Sequence, residues 1–166
     1  MTGASSIRQR PADTMAEAAL LYLEDLHAGQ SFECGRHALD AEQVKKFARE
    51  FDPQPFHLDE EAARGTFFGG LAASGWHIVC LTMRMIAENV PFAGGLIGGA
   101  AEITWPQPTR PSDVLHVAST VKEVTPSRSK PERGMVLLRT ETRNQKGELL
   151  QIFTAKCVVP RRPKAT

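Results

Sequence analysis

The stretch Phe51-Asp52-Pro53-Gln54-Pro55-Phe56-His57-Leu58-Asp59 sets a carboxylate and an imidazole five positions apart with two prolines between them. On a helix, five positions turn the chain by about 140°, and Asp52 and His57 would point apart. No helix runs through this segment, because Pro53 and Pro55 fix their own φ angles and push Asp52 and Gln54 out of the helical region. The sequence therefore predicts a stiff, irregular bend that brings both side chains within reach of one water, with few conformers lost on folding. An Asp and a His aimed at one water form a general acid/base pair, since histidine titrates near neutrality and the carboxylate holds the water's other proton. The other reading is an ordinary turn, because Asp, His and Pro are all common in loops. Spacing alone leaves both open.

A second stretch, Phe68-Gly69-Gly70-Leu71-Ala72-Ala73-Ser74-Gly75-Trp76-His77, brings small residues to the start of a long apolar segment. A glycine at the opening of a helix leaves its backbone N–H uncovered at the positive end of the dipole, where a developing oxyanion is stabilised. Small residues also let a buried helix approach a sheet closely, and that alternative stands beside the first. His77, next to Trp76, reads as a hydrogen-bonded core or wall residue. Other chemistries are excluded by pattern. There is no GxxxxGK[ST] phosphate loop and no GxGxxG, Ser74 sits in AASGW rather than GxSxG, and HExxH is absent. Asp52, His57 and His77 lack a metal-ligand spacing.

The elements that must position these residues follow from periodicity. Signals over 39–89 are helical. Asp40 with Gln43 forms a capping-box pattern ahead of Val44, Phe47 and Ala48, residues 59–65 read as a short capped helix ended by Gly65, and 71–87 reads as a long helix for burial. After Pro91 the runs 96–105, 114–124, 135–142 and 149–159 are rich in Val, Ile, Thr and Leu and read as strands, with a hairpin turn at Asn144-Gln145-Lys146-Gly147 and a loop over 126–134. Helices and strands segregated in this way predict an α+β domain with the long helix on one face of a curled antiparallel sheet.

The chain is 166 residues long, which fits one domain. Residues 1–17 read as a flexible leader, 18–160 as the single domain and 161–166 as a basic, solvated tail. Twenty basic against 19 acidic residues leave a net charge of +1, which gives no field for nucleic acid. Cys34, Cys80 and Cys157 are an odd, dispersed set, so no disulfide framework or zinc knuckle is expected and a cytoplasmic location fits. Apolar runs fall short of the roughly 18 residues that span a bilayer, so no membrane partner is expected.

Together the two stretches resemble the MaoC-like dehydratases, the hot-dog-fold family that includes (R)-specific enoyl-CoA hydratases. Its signature is Asp-x-Asn-Pro-Leu/Ile-His, an Asp two residues on, and a later small-residue segment with His-Gly-Met. This chain has Asp52-Pro53-Gln54-Pro55-Phe56-His57, then Asp59, then Ser74-Gly75-Trp76, with the family's spacing and likeness over 23–159. Gln54 replaces the Asn, Phe51 stands where a Gly often precedes the Asp, and Ser74 and Trp76 flank Gly75 in place of His and Met.

The resemblance implies a curved sheet wrapped around a long central helix, paired as a homodimer or a dimer of dimers. It implies Asp52 and His57 as the catalytic dyad and the Gly75 N–H as the oxyanion donor, with Gln54, Ser74 and Trp76 toward the substrate. The expected reaction is reversible addition of water to a trans-2-enoyl-CoA. Coenzyme A is then part of the substrate, and no separate cofactor or metal is expected. Arg128 and Arg133, with Lys130 and Arg110, are candidates to meet the CoA phosphates, although solvated loop charge is the simpler explanation, since surface lysine and arginine are common. Two alternatives accompany the hydratase reading: a hot-dog acyl-CoA thioesterase and a non-catalytic acyl-CoA-binding module.

Overall fold

In the computed structural model, residues 19–164 are described. The expected leader lies outside them. After a 3-10 turn at Leu23–Asp25 comes strand β1 (Ser31–Ala38), which the sequence pattern does not announce. Its only buried residue is Cys34, and Gly35, at φ 93°, falls where the pairing with the next strand shifts register, so the two-residue alternation is lost. Helix α1 (Ala41–Phe51), the one-turn α2 (Pro55–Leu58), α3 (Glu60–Arg64) and the long α4 (Gly75–Asn89) follow. Strands β2 (Ile97–Thr104), β3 (Val114–Pro126), β4 (Arg133–Arg143) and β5 (Leu149–Pro160) lie where Val, Ile and Thr predict them.

The five strands form one antiparallel sheet in the order β1-β3-β4-β5-β2, leaving β1 and β2 at the edges. Alternate residues of β3 and β4 face the core, and Met85 and Ile86 of α4 pack there with Val117, Val121, Val136, Leu138 and Phe153. A second apolar cluster joins Val44 of α1 to Ile78 and Leu81 of α4 and to Leu115 and Leu150. Burying each such side chain is worth about 1.5–3 kcal/mol, which fixes α4 across the sheet. The core also holds paired polar groups: Ser119 with Thr140 at 2.7 Å and Thr82 with Thr142 at 2.9 Å.

Three local readings change. Asp40 caps α1 by accepting from the Gln43 N–H at 2.8 Å, but the Gln43 amide bonds to the Asp40 carboxylate and the Ala38 carbonyl, so the reciprocal half of a capping box is not made. The long helix begins at Gly75, four residues later than predicted. Residues 71–74 are buried but not helical, tied by Ala72 N–H to the Phe56 carbonyl (3.1 Å) and Ala73 N–H to the Thr109 carbonyl (2.9 Å). The basic tail begins docked rather than free. Arg162 lies over the Tyr22 ring and pairs with Asp25 at 2.7 Å, a half-exposed contact worth little in stability.

Candidate active site

Asp52 is the C-cap of α1, where the helix is stopped by Pro53. Pro55 then opens α2 at its first position, where a missing N–H costs nothing. This single turn swings His57 back over the end of α1. His57 Nε2 lies 3.4 Å from Asp52 Oδ2, and both side chains are largely withdrawn from solvent. The predicted bend is present, with His57 on a helical turn rather than in irregular chain.

The hydrogen bonds around the pair define its chemistry. His57 Nδ1 is 2.7 Å from the Ala72 carbonyl, which only accepts, so Nδ1 carries the proton. In neutral imidazole, Nε2 then presents its lone pair toward Asp52 and the cavity. Asp52 Oδ1 accepts from Gln54 Nε2 at 2.8 Å, and Oδ2 accepts from the Ser74 hydroxyl at 2.7 Å. Burial opposes ionisation of Asp52, but the bonds from Ser74 and Gln54 and the nearby His57 outweigh it and hold the carboxyl below its ordinary value. Ser74 also caps α4, its oxygen accepting from the Trp76 N–H at 3.3 Å. One serine thus joins the dyad to the helix N-terminus.

Gly75 is the first residue of α4, and its N–H has no acceptor among the described residues. It faces a cavity of about 520 Å³ that Asp52, Gln54 and His57 also line. The Trp105 ring covers Gly75 so closely that a Cβ there would lie 2.6 Å from Trp105 Cε2, so the position demands glycine for space. Trp105 follows β2, and its Nε1–H donates to Gln151 at 2.9 Å. A separate cavity of about 290 Å³ beside β2, lined by Met83, Leu96 and Phe153 among others, holds no carboxylate or imidazole.

Of the residues singled out in the sequence, the structure brings together Asp52, Gln54, His57, Ser74, Gly75 and Trp76. Gln54 and Ser74 are turned to the Asp52 carboxylate, and Trp76 stands at the cavity wall. Arg128 and Arg133 lie elsewhere in the chain. Neither lines the cavity, and the β3–β4 loop lies at the Ile97 and Pro160 end of the sheet, opposite the Thr104 end that leads to Trp105. Arg110 does not face the cavity as a phosphate ligand. Its guanidinium donates to the carbonyls of Phe68 (2.6 Å), Gly70 (2.9 Å) and Leu71 (3.2 Å). His77 is buried against Phe47, rings stacked 4.6 Å apart, with Nδ1 unpartnered rather than hydrogen-bonded as expected. Residues that pattern reading missed are Ala72, whose role is its carbonyl and leaves no mark on side-chain type, and Trp105, which reads as the end of a strand.

The antiparallel sheet wrapped on one long helix is the hot-dog fold, and together with the site it defines a chain of the hydratase/dehydratase class. It superposes on the crystal structure of a MaoC-like dehydratase from Rhodospirillum rubrum with a TM-score of 0.85 and 55% sequence identity, covering 87% of this chain and 99% of that one. More narrowly, the family model described as "FAS1-like, dehydratase domain region" matches residues 26–153, and the chain belongs to this family of MaoC-like dehydratases. The chain is also 30% identical over 126 residues to the uncharacterized protein YdeM of Bacillus subtilis, covering 75% of this chain and 88% of YdeM. It is 29% identical over 120 residues to a mesaconyl-CoA hydratase of Haloarcula marismortui, of whose length it spans 29%.

Proposed function

We propose that this protein is an enoyl-CoA hydratase, adding water reversibly to a trans-2-enoyl-CoA to give a 3-hydroxyacyl-CoA. The observation that carries the reading is the convergence of His57 Nε2, the Asp52 carboxylate and the free Gly75 N–H on one cavity. In the forward direction a water held between Asp52 and His57 gives a proton to Nε2 as its oxygen bonds to C3. The C2–C3 π pair moves toward the thioester, and negative charge grows on the carbonyl oxygen. The Gly75 N–H, at the positive end of α4, stabilises that oxygen; removing one donor of this kind typically costs about 2.7–4 kcal/mol in the barrier. The proton on the dyad then passes to C2, the enolate collapses to the thioester, and His57 returns to its starting form. Atoms and charge balance without a further cofactor or metal.

Membership of the MaoC-like dehydratases supports this reaction class, and the similarity to a mesaconyl-CoA hydratase supports a CoA thioester as the substrate form. Edge strand β2 is exposed on both faces, with Ile97 53% accessible, an unpaired edge that suits pairing with a second copy. We take the working protein as a homodimer or dimer of dimers in the cytoplasm, in keeping with its three free cysteines. The described residues contain no helix long and apolar enough to cross a membrane. The test follows loss of the conjugated enoyl absorbance while a thiol reagent traps free CoA. Absorbance loss without thiol release is expected. Thiol release in step with substrate loss would identify a thioesterase, and binding with neither would identify an acyl-CoA-binding module.

A further inference from the structure

The cavity beside the dyad has an unusual wall. Phe56, Phe67, Phe68, Trp76 and Trp105 all line it, and three of these rings are open to solvent: Phe67 at 97%, Trp76 at 58% and Trp105 at 43% exposure. So much apolar ring surface at one opening marks a binding site rather than scattered surface residues. Among the described residues, the only ionisable lining group apart from the His57 imidazole is the Asp52 carboxylate, and no Lys or Arg lines the cavity. Arg110, behind Phe68, already donates to three backbone carbonyls. A second carboxylate on the acyl group would shed its water beside Asp52 with no cation to receive it, whereas a hydrocarbon chain gains by covering the rings.

Trp105 is not a loose surface ring. Its Nε1–H donates to Gln151 Oε1 (2.9 Å), and Gln151, fully buried, donates from Nε2 to Thr82 Oγ1 (3.0 Å), which in turn meets Thr142 Oγ1 (2.9 Å). This chain of polar groups runs from the cavity into the core between α4 and the sheet and holds the indole against Gly75 and edge-on to Trp76, ring centroids 5.9 Å apart. We propose that Trp105, anchored by Gln151, is the specificity-determining wall of an acyl site that accepts uncharged, apolar enoyl groups and rejects those carrying a second carboxylate. This rests on the hydratase reading above and names the substrate class of that same site.

The test compares kcat/KM for trans-2-hexenoyl-CoA and mesaconyl-CoA and, by calorimetry, the binding of the unreactive hexanoyl-CoA and succinyl-CoA. A preference for the uncharged chain of about tenfold or more is expected in both measurements. Trp105→Ala is expected to shrink the preference severalfold through KM and binding, and Trp105→Phe, which keeps a ring but has no N–H for Gln151, to shrink it less. Equal or better use of the carboxylated thioesters by the unaltered protein would overturn the proposal. So would a Trp105→Ala protein, folded by thermal unfolding, that slows both substrates alike and leaves their ratio unchanged. Should no enoyl thioester be hydrated while hexanoyl-CoA still binds preferentially, the hydratase reading fails and the acyl preference stands.

Discussion

Gly75→Ala tests the packing that frames the oxyanion donor. The new Cβ would lie 2.6, 2.8 and 3.0 Å from Trp105 Cε2, Cζ2 and Cδ2, closer than van der Waals contact allows, so either the helix start or the indole must move. Neither movement is free. Shifting the first turn of α4 displaces the Ser74 cap, and swinging the indole breaks its bond to Gln151, a fully buried amide that would be left with an unsatisfied oxygen. Overpacking and an orphaned buried acceptor each cost about 1–3 kcal/mol. The helix propensity of alanine over glycine returns at most about 1 kcal/mol. About 1–5 kcal/mol remains, and in a domain of this size each kcal/mol lowers Tm by about 2–4 °C, so a fall of about 2–20 °C is expected. Turnover should fall further than stability, since a misplacement of about 1 Å near the reacting atoms can cost ~100-fold. The assay pairs thermal unfolding with kcat/KM on an enoyl-CoA, for Gly75→Ala, Trp105→Ala and the double variant. In the Trp105→Ala background, where the clash is gone, Gly75→Ala should cost much less than it does in the unaltered protein, a coupling of about 0.5–3 kcal/mol. A Gly75→Ala protein with unchanged Tm and unchanged rate, or additive effects in the cycle, would refute the reasoning.

Two further outcomes follow from single hydrogen bonds and their absence. Ser74→Ala removes both the α4 cap, worth about 1 kcal/mol, and one of the two donors to Asp52. With burial less opposed, the Asp52 pKa rises, so the Asp52 carboxyl followed by carbon NMR should titrate at higher pH than in the unaltered protein; an unmoved titration would separate Ser74 from the dyad. His77 is pushed down to about 4 by burial, with His37 and Arg84 adding to the effect. The unfolded chain, with an ordinary histidine near 6.5, binds more protons between those values, so His77 costs stability as pH falls from about 6.5 to about 4. His77→Met, which leaves no unpartnered ring nitrogen, should be neutral or stabilising near pH 7 and flatten the decline of Tm below pH 6. An equally steep decline in the variant would place the acid sensitivity elsewhere.

The legible parts of this molecule are those where a residue type restricts the backbone. Pro53 and Pro55 restrict the backbone enough that a bend could be read from the six residues Asp52 to His57, although the family resemblance, and not the spacing, chose the paired side chains over an ordinary turn; four strands were legible through runs of Val, Ile, Thr and Leu. Strand β1 was illegible because its pairing depends on a glycine bulge and a single buried cysteine. Residues 71–74 read as helix in the sequence because a short apolar run does not distinguish a buried helical turn from a buried extended segment. The Ala72 carbonyl that sets the His57 tautomer and the three carbonyls gripped by Arg110 are backbone groups, which no side-chain pattern encodes. Loop cations such as Arg128 and Arg133 carry no sequence signal for which end of a hairpin they occupy.

The central claim is that Asp52 and His57 act together on one water. Its most direct test is the hydration rate of a trans-2-enoyl-CoA by Asp52→Asn and His57→Ala, alongside the unaltered protein and with folding checked by thermal unfolding. Loss of the acid/base pair should lower kcat by about 10²–10⁴-fold in each variant with little change in KM. Near-normal turnover in either folded variant would contradict the assignment.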